Sequence, residues 1–256
     1  MTVNPDDQQP HGVGIMLDAD RSAIESWLAT NTPPGRWPID TLVPVHHNRQ
    51  GTEAGAWTAY VIGLRTEAGD AADAQNGDAG PPGDGLAADV LASINTSAET
   101  LVRRVDVLRL QPGLDMFYPR TGGAAGAQGM IQTIEYVTSR PETRDDYYTT
   151  QYEFSGPAMR RLHDADRVGR FIGFEIVDTL HRVDGIPEHD VIHISGFRLT
   201  QGVKAARHFW AAFDAAAAAS GRSESGKQIV KNWDTQRTKN QVRVRQLWDR
   251  TIAPTN

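Results

Sequence analysis

The sequence predicts an α+β fold in which one β-α-β-β-α-β unit occurs twice, and three observations predict it. Alternating and helical-period apolar runs follow one another in that order over residues 1–113 and again over residues 114–256. The closing strand of each half is an arginine-bearing alternation that ends on proline, VRRVDVLRLQP against VRVRQLWDRTIAP. With 256 residues and no cysteine, the chain has the length for a large buried core and no disulfide to replace one.

In the first half HGVGIMLD reads as a strand. DADRSAIESWLATN follows with an Asp cap and with Ile24, Trp27 and Leu28 at helical spacing. After the breaker TPPGRWP, DTLVPVHHN and AWTAYVIGLRT form a hairpin around RQGTEAG. Residues 67–85 are Gly, Asp, Ala and Pro with almost nothing apolar, which predicts a disordered surface insertion. LAADVLASINTSAETL then places Leu86, Val90, Leu91 and Ile94 on one helical face, and VRRVDVLRLQP closes the unit as a strand ended by proline.

The second half repeats the order. GLDMFYPRTGGAAGAQG is a linker and MIQTIEYVTS a strand. PETRDDYYTTQYEFSGPAMRRLHDA is a helix with a break expected at Gly156-Pro157. GRFIGFEIVDTL and DVIHISGFRL are paired strands around HRVDGIPEH, followed by the Ala-rich helix VKAARHFWAAFDAAAAAS and the last strand.

Net charge is -6 and no basic stripe carries interleaved aromatics, so neither a nucleic-acid nor a membrane partner is expected. The opening MTVNPDDQQPHG has no basic or apolar leader signal, and no apolar run nears the ~18 residues of a membrane span. The expected location is the cytoplasm. Phosphate-binding GxxxxGK, GxGxxG after a strand, GxSxG and HExxH are all absent, which argues against standard nucleotide, nicotinamide, hydrolase and zincin chemistry.

A β-α-β-β-α-β unit packs both helices on one sheet face and leaves the other bare, and a second copy can cover it. In this duplicated order the chain resembles the dimeric α/β-barrel superfamily of ferredoxin-like repeats, which includes antibiotic-biosynthesis monooxygenases and haem-handling enzymes. Its length and two-repeat layout are similar to the angucycline ring-opening oxygenases. The resemblance implies two tandem ferredoxin-like repeats folded as one body into an intramolecular barrel with antiparallel sheets. It also implies an oxygenase acting on an aromatic polyketide by deprotonation of a phenol and reaction with dioxygen. Under that reading no cofactor is tightly bound, or reduced flavin arrives as cosubstrate from a separate reductase. A haem enzyme, a cofactor-free cyclase and a non-catalytic ligand carrier are the alternatives, and pairing of two chains into a homodimer stays open.

Strand alternation assigns the candidate site. It sends Ile172, Phe174, Ile176, Ile192 and Ile194 to the helices, and turns Phe171, Gly173, Glu175, His193, Ser195 and Phe197 toward a cavity inside the barrel. Glu135 joins them from the first strand of the repeat, so His193, Glu135 and Glu175 are the candidate catalytic groups, with either His193 or Glu135 as the base. Tyr152 or Ser195 would hydrogen-bond the developing oxyanion, while Phe171, Phe197, His163 and His46 complete the binding set. Each has a plainer reading. Glu175 pairs with an arginine such as Arg170 or Arg243, His193 is a satisfied core histidine, and His163 complements a helix C-terminus instead of ligating haem. His46 and the adjacent His47 point to opposite faces of a strand, so no metal site is expected there.

Overall fold

A computed structural model of the chain describes residues 12–18, 22, 23, 26, 39–49, 59–64, 102–116, 131–197 and 202–246. The expected insertion at 67–85, the helix LAADVLASINTSAETL and most of the first expected helix lie outside these residues. Eight strands are described: β1 (Gly12–Leu17), β2 (Ile39–Arg49), β3 (Ala59–Leu64), β4 (Val102–Met116), β5 (Ile131–Ser139), β6 (Val168–Arg182), β7 (Val191–Phe197) and β8 (Arg237–Gln246). They close into an antiparallel barrel in the order β1-β3-β2-β8-β5-β7-β6-β4. Within that circle run the two sheet orders β4-β1-β3-β2 and β6-β7-β5-β8, joined at the seams β2–β8 and β4–β6. The expected fold, two ferredoxin-like repeats forming one barrel, is thus present.

Helices α1 (Arg144–Thr150) and α2 (Gly156–Asp164) are joined by a π turn, Gln151–Ser155, and are followed by α3 (Gly202–Ala219) and α4 (Gly226–Thr235). Among the described residues no helix is long and apolar enough to cross a membrane. The expected break at Gly156-Pro157 is instead the π turn. Pro157 has no N–H to give, and the wider turn, in which the Gly156 N–H donates to the Gln151 carbonyl, keeps the helix going. Strand β4 likewise runs past the proline expected to end it. Pro112 and Gly113, the latter at φ 73°, occupy the register shift between Leu110 and Asp115, where the β4–β6 ladder is already interrupted.

The barrel interior is filled from both halves. Met16, Tyr60, Ile62 and Leu108 pack with Ile134, Tyr136, Ile172, Phe174, Ile192 and Ile194 in one buried cluster. The Tyr60 and Tyr136 rings meet edge to face at 6.0 Å although their strands are not neighbours, so they touch across the lumen. Gly14 leaves the space on β1 that the Tyr60 hydroxyl occupies. The β6–β7 loop plugs one end. Ile186 joins the cluster, His189 lies against Tyr136 at 4.8 Å, and the Pro187 carbonyl accepts from Arg104 Nη1 at 2.6 Å. Arg104, 1% exposed, also holds Asp106, 0% exposed, at 2.7 Å inside the barrel.

Helices α2 and α3 cover the outer face of β6. Leu114, Ala158, Met159, Leu162, Val168 and Phe171 pack there against Ala212, Phe213 and Ala216. Val137 and Val191 meet Tyr147 of α1 and Trp233 of α4 in the neighbouring cluster.

Candidate functional site

The interior cluster reverses the expected strand faces. Ile172, Phe174, Ile192 and Ile194 point into the barrel. The opposite parity, with Phe171, Gly173, Glu175, His193 and Ser195 on it, therefore lies under the helices. The physical reason is closure: an eight-stranded lumen is just wide enough to be filled by side chains, and bulky apolar groups from both halves fill it around the Arg104–Asp106 pair, while the helix layer packs polar groups beside its own apolar contacts. The expected convergence inside the barrel is corrected to a convergence between sheet and helices.

There the cross-strand register places Glu135 of β5 opposite His193 of β7, and His193 opposite Gly173 of β6. His193 is 2% exposed, and its Nδ1 lies 3.2 Å from Glu135 Oε2. Its Nε2 lies 2.9 Å from Nε2 of Gln151, the first residue of the π turn. Arg237 Nη1 donates to Glu135 Oε2 at 3.2 Å and its Nη2 to Asp234 at 2.9 Å, while Lys239 Nζ stands 3.7 Å from Glu135 Oε1. The Arg237 guanidinium lies 3.8 Å from the Trp233 ring centroid, and the Phe171 and Trp233 rings flank the imidazole at 5.9 and 6.2 Å. On the far side Gln111 of β4 brings Oε1 to 3.5 Å from Gln151 Nε2. It reaches that point because residue 173 is glycine: a Cβ there would stand 2.5 Å from Gln111 Oε1 and 2.6 Å from Leu114 Cδ1.

Burial pushes the Glu135 carboxyl up, but Arg237, the hydrogen bond from His193 and Lys239 outweigh it and hold the group well below the ordinary carboxylate range. Burial pushes His193 down, against the opposing pull of Glu135. The ionised carboxylate can only accept, so Nδ1 carries the imidazole proton and Nε2 presents its lone pair to the Gln151 amide N–H. The result is a neutral imidazole oriented by a carboxylate, with Nε2 as the proton-accepting atom.

Four buried polar atoms around this relay have no hydrogen-bond partner among the described residues: Gln111 Nε2, Gln151 Oε1, Tyr147 Oη and Trp233 Nε1. Each such atom costs about 1–3 kcal/mol when left dry. A π turn, four unmet polar atoms and a buried imidazole thus occur together in one place.

The remaining expected residues fall elsewhere. Glu175 is on the helix-facing side but is taken by Arg109, at 2.5 Å from Nη2, in place of the expected Arg170 or Arg243. Tyr152 is 39% exposed, stacks on Tyr148 at 6.0 Å, and is pushed up to about 12 by burial and then by Glu175. Ser195 lies half-buried in β7 between Thr133 and Phe171. His163 sits in the last turn of α2 beside Asp164, at 3.8 Å. Phe197 and His46 belong to β7 and β2, and their side chains lie outside the described residues. Gln111, Gln151 and Arg237 were not picked out from the sequence. Gln111 alone carries a sequence signal, its parity with Arg109 on β4, since Gln151 lies in a helical turn and Arg237 begins β8.

Haem, one reading of the resemblance, does not fit His193. A metalloporphyrin lies as a wide plane across the ligating nitrogen, and Nε2, the nitrogen that Glu135 leaves for ligation, is buried beneath the helix layer with the Phe171 and Trp233 rings flanking the imidazole at 5.9 and 6.2 Å.

No protein-family model and no curated protein sequence matches this chain. Among solved structures it is similar to a candidate monooxygenase of Lactobacillus acidophilus at 12% identity and TM-score 0.44, covering 92% of this chain and 94% of that one. An anthrone oxidase-like protein is similar at 12% identity and TM-score 0.45, covering 93% and 92%. A candidate monooxygenase of Fusobacterium nucleatum is similar at 7% identity and TM-score 0.48, covering 93% and 91%.

Proposed function

We propose that the protein is an oxygenase of aromatic polyketide tailoring, with His193 Nε2 as the base that deprotonates a phenolic polycycle. One observation carries the reading: a buried neutral imidazole is oriented by an ionised carboxylate and walled by aromatic rings, beside polar atoms that still lack partners. Phe171 forms an aromatic wall beside the imidazole, the Trp233 ring being taken by the Arg237 guanidinium and by Tyr147 stacked on it, and Tyr147 Oη, Trp233 Nε1 and Gln111 Nε2 are donors able to meet a developing oxyanion.

Proton transfer to Nε2 leaves a phenolate whose ring carbon carries the electron density. That carbon adds dioxygen, and the resulting hydroperoxide loses water to give a quinone, so phenol plus dioxygen yields quinone plus water. The balance needs no reductant, and reduced flavin from a separate reductase is an optional co-reactant. Angucycline-type phenols are the substrate class tested first.

The test is oxygen uptake by the purified protein with polycyclic phenols, in the wild type and in His193→Ala. General-base loss should lower kcat/KM by on the order of 10²–10⁴ while the circular-dichroism spectrum stays unchanged. Equal uptake by both proteins would remove His193 from the chemistry.

A further inference from the structure

We propose that Gln151 is a positioning residue that covers the base at rest and gives way to the substrate, turning from His193 to Gln111 as a ligand hydroxyl takes its place at Nε2. The inference rests on the preceding reading for the identity of the base.

The geometry has one internal mismatch that this movement resolves. The charge on Glu135 sets the direction of every hydrogen bond in the row. Nδ1–H points to the carboxylate, Nε2 accepts from Gln151 Nε2, and the same amide nitrogen reaches toward Gln111 Oε1 at the long distance of 3.5 Å. Gln151 Oε1, an acceptor, and Gln111 Nε2, a donor, then both go unmet among the described residues. These two atoms are complementary. A turn of the Gln151 side chain brings its Oε1 to Gln111 Nε2, satisfies both and uncovers the lone pair of His193.

The two arrangements exchange one hydrogen bond for another, so a modest gain from a bound hydroxyl is enough to select the second. The π turn supplies the means. Gln151 stands at its head: its N–H still closes the last turn of α1 on the Tyr147 carbonyl, while its own carbonyl accepts from the Gly156 N–H in the widened stretch. Gly173 supplies the other half by letting Gln111 lie flat on the sheet within reach.

The test begins with ¹⁵N NMR of the histidine rings, assigned with His193→Gln, which reads the resting state without substrate. The wild type should show Nδ1 protonated and Nε2 bare. A donor on the lone pair favours the neutral ring, so Gln151→Met should raise the His193 pKa by about one unit, and Gln151→Glu, which adds a negative charge, by more. A proton on Nε2 in the wild type, or a titration unmoved in both variants, overturns the inference. With 1-naphthol as the phenolic probe, the Gln151 side-chain amide resonances should shift in the wild type and much less in Gln111→Met, whose KM should rise about tenfold at unchanged His193 pKa. Naphthol bound with those resonances unmoved also overturns it. The expected tautomer and shifts without oxygen uptake would sink the functional reading alone, whereas oxygen uptake with Nε2 protonated would sink this inference alone.

Discussion

At His193 the two ring nitrogens have separate duties, one held by Glu135 and the other by Gln151, and both groups shift in the direction that makes acid destabilising. The folded pKa of His193 lies below its ordinary 6.5 and that of Glu135 below its ordinary 4.5, so the unfolded chain takes up protons first in each case. Their contribution is present above those values and is lost as pH falls through them. The urea midpoint of the wild type should therefore decline below about pH 6.5 and again below about pH 4.5, and His193→Gln should lack the upper step. Glu135→Gln removes the carboxylate that faces buried Arg237 and leaves it only Asp234. It should cost on the order of 3 kcal/mol in urea unfolding at pH 7 and flatten the lower step. The adjacency of Glu135 and His193 was legible in the sequence, because both fall on one strand parity. The roles of Gln111 and Gln151 were not, because an amide has no charge or motif and acquires meaning only from the neighbour its N–H meets.

At the level of elements, the order of strands and helices follows from periodicity except for α4, formed in the basic stretch between the Ala-rich helix and the last strand where no helix is expected, and the other departures occur where a proline meets a ladder that can absorb it. Pro112 sits in a register shift of β4 and Pro157 behind a π turn. Both were legible as residues that cannot donate, but whether an element stops or adapts depends on packing. Here Leu114, beyond the first proline, and Met159 and Leu162, beyond the second, are all in the helix-facing core, which rewards continuation. The face assignment failed for a related reason. Residues 168–174 of β6 are buried throughout, so alternation separates two faces without saying which is inside. Gly173→Ala tests the sheet's part in the site. The added methyl should displace Gln111 or Leu114, cost about 1–3 kcal/mol in thermal unfolding, and lower oxygen uptake while leaving Glu135 and His193 in place.

Over the whole molecule, the barrel joins the halves at two seams, and its interior is common property: the cluster that holds Met16 and Tyr60 also holds Ile134 and Phe174. Thermal unfolding should accordingly be one transition, with calorimetric and van't Hoff enthalpies equal, and two separated transitions would show the halves to be independent. Asp106→Ala, which strands Arg104 in the lumen, should cost about 3–5 kcal/mol without altering the His193 titration. Fusion of the halves has a further consequence. In an assembly of two identical chains every substitution acts twice, so a change that suits catalysis on one side must be tolerated on the other. Here β1 presents buried Val13, Ile15 and Leu17 on the face where β5 presents Thr133, Glu135 and Val137. The halves are thus free to differ, the second supplying His193, Glu135 and Gln151 and the first Gln111 from β4, and ligand titration should saturate at one equivalent per chain.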